Sequence, residues 1–243
     1  MTSPSIAAQR PSLSGLGLGV LAVLLIFALS SAALQATVAV IGHRFQLEDA
    51  AAVRADQVAL FIAFGTAILR QLATVFALAI IWTQAPVSLR ANLSPRLWTR
   101  GDIGRGLLWA AVTYGALVAY LALLQLAGLD ALLPQSTIGD EVTRSLPVLI
   151  LAGVSAVVVA PVSEEFIFRG FLFNGLLRFG FWPAALVSGF LFAAPHFDAA
   201  SLVPFALIGV VLASLAHSSR GLRQPIVFHA AFNTASFVAL LLF

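Results

Sequence analysis

Pro161-Val162-Ser163-Glu164-Glu165-Phe166-Ile167-Phe168-Arg169-Gly170 is the stretch on which the fold of this chain depends. It places two carboxylates and one guanidinium inside a run, from Ser145 to Leu177, that carries no other charge. A charge at the middle of a membrane-spanning helix costs about 2.5–3.5 kcal/mol on insertion scales, so such side chains face a protein interior or a water-filled cavity. The stretch therefore indicates a membrane helix that carries a functional site.

Helical geometry separates the three charges. At about 100° per residue, Glu165 and Arg169 lie on one helix face, whereas the adjacent Glu164 points to a different sector. One carboxylate can therefore pair with the arginine while the other stays available for chemistry. The alternative is a cluster of charges that snorkels at a helix end, but apolar side chains flank the cluster on both sides and favour a buried site.

The composition of the whole chain agrees with a membrane protein. Of its 243 residues, 60% are hydrophobic and 9% are charged, whereas soluble domains are about 25% charged. We therefore expect an all-α, polytopic transmembrane helix bundle of about seven spans, with six to eight as the range, and no sizeable soluble domain. The absence of cysteine excludes disulfides, zinc–thiolate sites and cysteine nucleophiles.

Seven apolar segments support this count. They are residues 11–42, 57–82, 106–127, 145–177, 182–197, 202–216 and 225–243. The first could instead be a cleaved signal peptide, although its apolar run is longer than a usual signal core. The second contains Arg70 near its middle, which we expect to face the bundle and pair with a carboxylate, unless it snorkels or the helix is broken. No internal repeat of the kind found in transporters is present.

The distribution of arginine predicts the orientation. All thirteen basic residues are arginine, and they lie mostly in short loops, which is typical of membrane orientation signals and not of a nucleic-acid partner. With a cytoplasmic N-terminus, the inner segments hold eight arginines against one acid, and the outer loops hold three against seven acids. We therefore expect the N-terminus in the cytoplasm and the C-terminus on the far side. The lysine-free, alanine-rich composition favours a bacterial cytoplasmic (inner) membrane.

Three further polar residues interrupt the later spans. His196 lies sixteen residues after Gly180 and Glu164 sixteen before it, so a hairpin that turns at this glycine would place both about 24 Å from the turn. His229 and Asn233 share a helix face, but a turn near residue 221 would leave His229 only about 12 Å deep, so helix tilt or breaks must supply the rest. Taken singly, each histidine could be an ordinary core residue, and Asn233 could serve only to form a hydrogen bond between helices. Taken together with two glutamates and an arginine, they favour a shared site.

Three motifs occur in order: Glu164-Glu165-x-x-x-Arg169, then Phe192-x-x-x-His196, then His229-x-x-x-Asn233. Together they resemble the motif set of the CPBP intramembrane protease family, also called Abi proteins. That family includes the type II CAAX prenyl endopeptidases and bacteriocin-processing or immunity proteins. The resemblance covers about residues 145–240, and no motif position departs from it. It implies that residues 144–243 form a catalytic transmembrane region and residues 1–143 additional helices of one integral bundle.

The resemblance also implies roles for the motif residues. Glu164 would be the general base with His196 as its partner, His229 and Asn233 would stabilise the oxyanion, and Arg169 would orient Glu165. No cofactor is favoured, although zinc or another divalent metal, held by Glu164, His196 and His229, is the alternative. The expected substrate is a membrane-associated protein or peptide, in some cases lipidated.

Two other classes of function compete with the protease. A transporter or channel could use the same charges as an ion or proton relay, and a non-catalytic scaffold or immunity protein could keep the motifs for packing or partner binding. The absence of a repeat and the histidine and asparagine pair favour the enzyme.

Overall fold

The computed structural model describes residues 11–45, 57–82, 98–134, 140–196 and 199–242. The predicted loops around residues 46–56 and 83–97 lie outside these ranges. The described residues contain helices and no strand, which confirms the all-α prediction. There are seven principal helices in the described chain: α1 Leu13–Phe45, α2 Gln57–Ile81, α3 Arg100–Leu126, α4 Leu146–Phe179, α5 Phe181–Ala193, α6 Ala199–Ser219 and α7 Arg223–Leu242.

Six of these helices are long and apolar enough to cross a membrane, and α5 is the exception. Its 13 residues reach about 20 Å, against a hydrocarbon core of about 30 Å. The helix begins after Gly180, whose φ of +102° terminates α4, and it ends in a 3-10 turn, Ala194–His196, that contains Pro195. The described residues thus contain six candidate spans and one shorter helix, which agrees with the predicted bundle of about seven helices and the range of six to eight spans.

Helix α4 is irregular at its centre. Two π-helical stretches, Val154–Val159 and Phe166–Phe173, flank the α-helical turn Ala160–Glu165. Pro161 contributes to the break because it lacks an N–H and its ring crowds the carbonyl four residues before it. π-Helical turns inside α-helices occur frequently at functional sites, and here they enclose both glutamates.

Small residues allow the helices to approach closely. A Cβ atom on Gly209 of α6 would lie 2.6 Å from the Cα of Gly189 in α5, and a Cβ on Gly106 of α3 would lie 2.7 Å from the Cβ of Val227 in α7. Such contacts are typical of helix pairs in membranes. At the start of α3, Thr99 and Asp102 form a reciprocal capping box that fixes where this helix begins.

Helix α4 lies at the centre of the bundle and contacts α2, α5 and α7. In the most apolar 18-residue part of each of α1, α2 and α3, 11% of the residues are buried. The corresponding fraction is 33% for α4 and 44% for α6. The first three helices therefore direct most of their surface towards lipid, and α4 and α6 contribute more of the interior.

Candidate active site

An ion pair lies fully buried in the centre of the bundle. Arg169 Nη1 donates to Glu165 Oε1 at 3.0 Å, and both side chains are 0% exposed. Arg169 Nη2 donates to the carbonyl oxygen of Gly209 in α6, also at 3.0 Å. The guanidinium lies 4.5 Å from the ring centroid of Phe192 in α5, which is within the range of a cation–π interaction. The pairing predicted from the spacing is present, and Arg169 additionally joins α4 to α5 and α6.

His229 of α7 completes the surroundings of Glu165. Its Nδ1 lies 2.9 Å from Glu165 Oε1, the same oxygen that accepts from Arg169. The Glu165 carboxylate accepts a hydrogen bond from Nδ1–H, so Nε2 carries the lone pair when the ring is neutral. His229 Nε2 lies 3.9 Å from Glu164 Oε2. The irregular helices thus bring His229 to both glutamates, despite its shallow position in the sequence-based estimate.

Glu164 is the exposed member of the glutamate pair. Its side chain is 27% exposed, against 0% for Glu165. Gln71 of α2 donates from Nε2 to Glu164 Oε1 at 3.4 Å and accepts a hydrogen bond from the Ser163 hydroxyl at 2.9 Å. Sequence reasoning missed this role of Gln71, although a polar residue beside an arginine in the middle of an apolar span was a usable signal.

His196 shares the walls of two cavities with Glu164, which agrees with the depth predicted from the hairpin. Its Nδ1 lies 3.1 Å from the carbonyl oxygen of Ala193, and its ring stacks on Phe205 at a centroid distance of 4.2 Å. A carbonyl can only accept, so Nδ1 donates and Nε2 keeps its lone pair in the neutral ring. His196 also interacts electrostatically with the Glu164 carboxylate.

Asn233 satisfies a backbone carbonyl that Pro161 leaves without a donor. The N–H of Ala160 bonds to the carbonyl of Ser155 in the π register, so the next carbonyl, that of Ala156, would pair with residue 161, which has no N–H. Asn233 Nδ2 donates to the Ala156 oxygen at 2.8 Å. The second N–H of this amide remains for another acceptor.

The main cavity has a volume of about 250 Å³ and lies between α4, α5, α6 and α7. Four of the predicted site residues line it: Glu164, His196, His229 and Asn233. Glu165 and Arg169 lie in the packed core beside it, where they hold His229 and the neighbouring helices. A second cavity of about 120 Å³ shares Glu164, Phe192 and His196 with the first and extends to α2.

Arg70 lines this second cavity. Its guanidinium carbon lies 4.9 Å from the ring centroid of Phe27 in α1. The expected direct pairing with a carboxylate is wrong for the part of the chain that the structure describes, since Arg70 forms no ion pair within 4.0 Å there. Glu164 instead acts on it electrostatically across the cavity.

The side chains do not converge as zinc ligands would. Within the described ranges, no group of three or more His, Asp or Glu side chains could hold a metal ion. Ligands to zinc lie about 2.0–2.2 Å from the ion. The Nδ1 atoms of both site histidines bond to protein oxygens, an arrangement that metal-bound histidines also show, so a metal would have to be held by their Nε2 atoms.

Comparison with known proteins supports the resemblance read from the motifs. Residues 146–235 match the family model of the type II CAAX prenyl endopeptidase Rce1-like proteins, and all six predicted site residues lie within this range. The chain is 30% identical over 97 residues to an uncharacterized 24.3 kDa protein of Escherichia coli, covering 37% of this chain and 45% of that protein. It is also 30% identical over 95 residues to the Bacillus subtilis (strain 168) protein named "Putative membrane peptidase YdiL", covering 39% of this chain and 38% of that protein.

These alignments span less than half of the length of each curated relative. No solved structure matches this chain. The predicted family resemblance is confirmed for residues 146–235, and the six apolar helices agree with an integral membrane protein.

Proposed function

We propose that this protein is an intramembrane endopeptidase that hydrolyses a peptide bond of a membrane-associated or lipidated protein or peptide. The match to a family of membrane CAAX-type proteases over residues 146–235 supports this class of enzyme. The observation that carries the proposal is the partly exposed carboxylate of Glu164 at a cavity wall, with His196 and His229 beside it inside an apolar bundle.

Water activation falls to Glu164 and His196 in this proposal. Hydrolysis of a peptide bond requires a group that removes a proton from water as the water oxygen bonds to the carbonyl carbon. Glu164 has the exposure and the open cavity for this role, and Gln71 holds one of its oxygens. The free lone pair on His196 Nε2 can accept a hydrogen bond from the same water and so orient it, while Glu164 takes one proton. The proton then passes to the amine nitrogen as the carbon–nitrogen bond breaks.

The developing oxyanion is stabilised by His229 and Asn233. When His229 carries a proton on both ring nitrogens, Nε2 donates towards the cavity while Nδ1 donates to Glu165. Asn233 offers the N–H that does not bond to Ala156. One such donor contributes about 2.7–4 kcal/mol to the transition state of acyl transfer.

The decisive variant is Glu164→Gln, which removes the base and keeps the shape of the side chain. We expect peptides released from the membrane fraction by the parent protein to disappear in this variant while its abundance stays normal, as measured by quantitative proteomics. Asp130→Asn also replaces a carboxylate by an amide, but at an exposed turn. It is the matched control and should behave like the parent. Unchanged biological activity in Glu164→Gln would instead support the non-catalytic scaffold, and a changed ion or proton flux without lost cleavage would support the transporter.

Metal dependence is decided in the same assay. We expect purified protein to keep its activity in strong chelator and to contain far less than one metal ion per chain by elemental analysis. Activity that is abolished by chelator and restored by zinc would contradict the metal-free scheme and assign Glu164, His196 and His229 as ligands.

A further inference from the structure

The guanidinium of Arg70 is a cation that the scheme above does not use. It lies in α2, half-buried, at the wall of the 120 Å³ cavity. Its guanidinium lies over the face of the Phe27 ring, and no described carboxylate lies within ion-pair distance of it.

Such an arrangement is costly unless something accepts its hydrogen bonds. An arginine inside a membrane span is expensive and is normally paired or directed to a water-filled cavity. Its five N–H donors form a planar fork that fits a carboxylate with two parallel hydrogen bonds. A cation–π contact with one ring face leaves these in-plane donors free. The cavity at Arg70 therefore offers a charge and a donor geometry suited to a carboxylate.

The position of this cavity relates it to the candidate chemistry. Glu164, His196 and Phe192 belong to its wall and also to the wall of the main cavity. A group bound at Arg70 would thus lie on the α2 side of Glu164, while the rest of a substrate occupies the main cavity between α4 and α7. The Glu164 charge already interacts with Arg70 without forming an ion pair, which leaves the fork available to a ligand.

We propose that Arg70 binds a carboxylate group of the substrate and so selects which peptide bond reaches Glu164. The inference rests on the proposed peptidase function. The carboxylate has two sources, the free C-terminus of a peptide or an Asp or Glu side chain near the cleaved bond. In both cases Arg70 is a specificity residue for an anionic substrate group.

Binding is measured in purified Glu164→Gln protein, so that hydrolysis is not needed for the readout. The probes are three dansyl-labelled hexapeptides. The first two share one apolar sequence and end in a free carboxylate and in an amide, and the third is the amide with one internal residue replaced by glutamate. Fluorescence anisotropy should show at least one carboxylate peptide binding on the order of tenfold more tightly than the neutral amide. Preference for the first probe identifies the chain terminus as the source, and preference for the third identifies a side chain.

Adding Arg70→Gln should abolish that preference, and Arg70→Lys should retain only part of it, because lysine keeps the charge and loses the fork. Arg105→Gln, the same change at an exposed arginine of α3, is the control and should leave the preference intact. Equal binding of the three peptides before Arg70 is changed, or a preference that survives in Arg70→Gln, would overturn the proposal. If the preference is present but the parent protein cleaves no peptide, the peptidase function fails and the carboxylate site stands.

Discussion

Arg169 is the side chain on which the geometry of the site depends most. Its guanidinium bonds to Glu165 and to the Gly209 carbonyl, and it faces the Phe192 ring. Glu165 in turn bonds to His229. A buried ion pair gives little net stability, but removal of one partner leaves an uncompensated charge in a low-dielectric interior. The pair therefore matters chiefly because its loss would disturb three helices and His229 together.

Arg169→Ala should lower both abundance and activity, with a destabilisation of about 3–5 kcal/mol, because Glu165 is left charged and buried. The double variant Glu165→Gln with Arg169→Gln removes both charges and should recover part of the abundance, measured by immunoblot of membranes. Activity should not recover, since His229 loses its carboxylate partner. A double variant less abundant than either single variant would contradict the pairing.

At the scale of helices, the close contact of α5 and α6 positions the site. Gly189 and Gly209 allow the two backbones to meet, and the Gly209 carbonyl accepts from Arg169. Phe192 and His196 follow on the same α5 segment and line the cavity. A displacement of one helix would therefore reach both the ion pair and the cavity wall.

Gly209→Ala tests this contact. The added Cβ would lie 2.6 Å from the Gly189 Cα and 3.1 Å from its oxygen, so the backbones must separate. We expect a loss of about 1–3 kcal/mol, as for overpacked cores, seen as a lower unfolding temperature in detergent together with reduced activity. Gly115→Ala in α3 is the matched control, because its Cβ would meet nothing within 4 Å. Equal unfolding temperatures for the two variants would show that the α5–α6 contact tolerates separation.

At the scale of the whole molecule, we infer from contacts between helix ends that the arginine-bearing connections before α7 and after α4 and α6 lie at one end of the bundle. Arg223 at the start of α7 pairs with Asp102 at the start of α3 at 3.2 Å. Phe173 near the end of α4 contacts His217 near the end of α6. The main cavity leads away from this end, since its α7 lining runs from the buried Phe228 to the exposed Ser236. By the positive-inside rule, we propose that the cavity opens on the side opposite the cytoplasm.

Single cysteines can test this orientation without background, because the chain has none of its own. We expect Ser236→Cys, at the cavity, to react with a membrane-impermeant maleimide in intact cells. Ser218→Cys, exposed near the arginine-rich end, should react only after the membrane is permeabilised. The opposite pattern would reverse the orientation, and labelling of both only after permeabilisation would place the cavity opening in the cytoplasm.

Local and compositional features were readable from the sequence alone. Long apolar segments predicted membrane helices, because backbone groups in lipid must bond within their own segment. The spacing of Glu165 and Arg169 predicted their ion pair, because residues four apart share a helix face. Equal distances from Gly180 placed Glu164 and His196 at one depth, because helical rise is constant.

Contacts between distant segments were decided only by the tertiary structure. Gln71 reaches Glu164 from a helix 93 residues away in sequence, and the displacement of His229 towards both glutamates depends on how α7 packs against the irregular α4. Asn233 found its partner because Pro161 leaves the Ala156 carbonyl without a donor in a π-helical register that the sequence did not predict. Pairwise packing of helices sets these positions, and neither periodicity nor spacing within one segment contains that information.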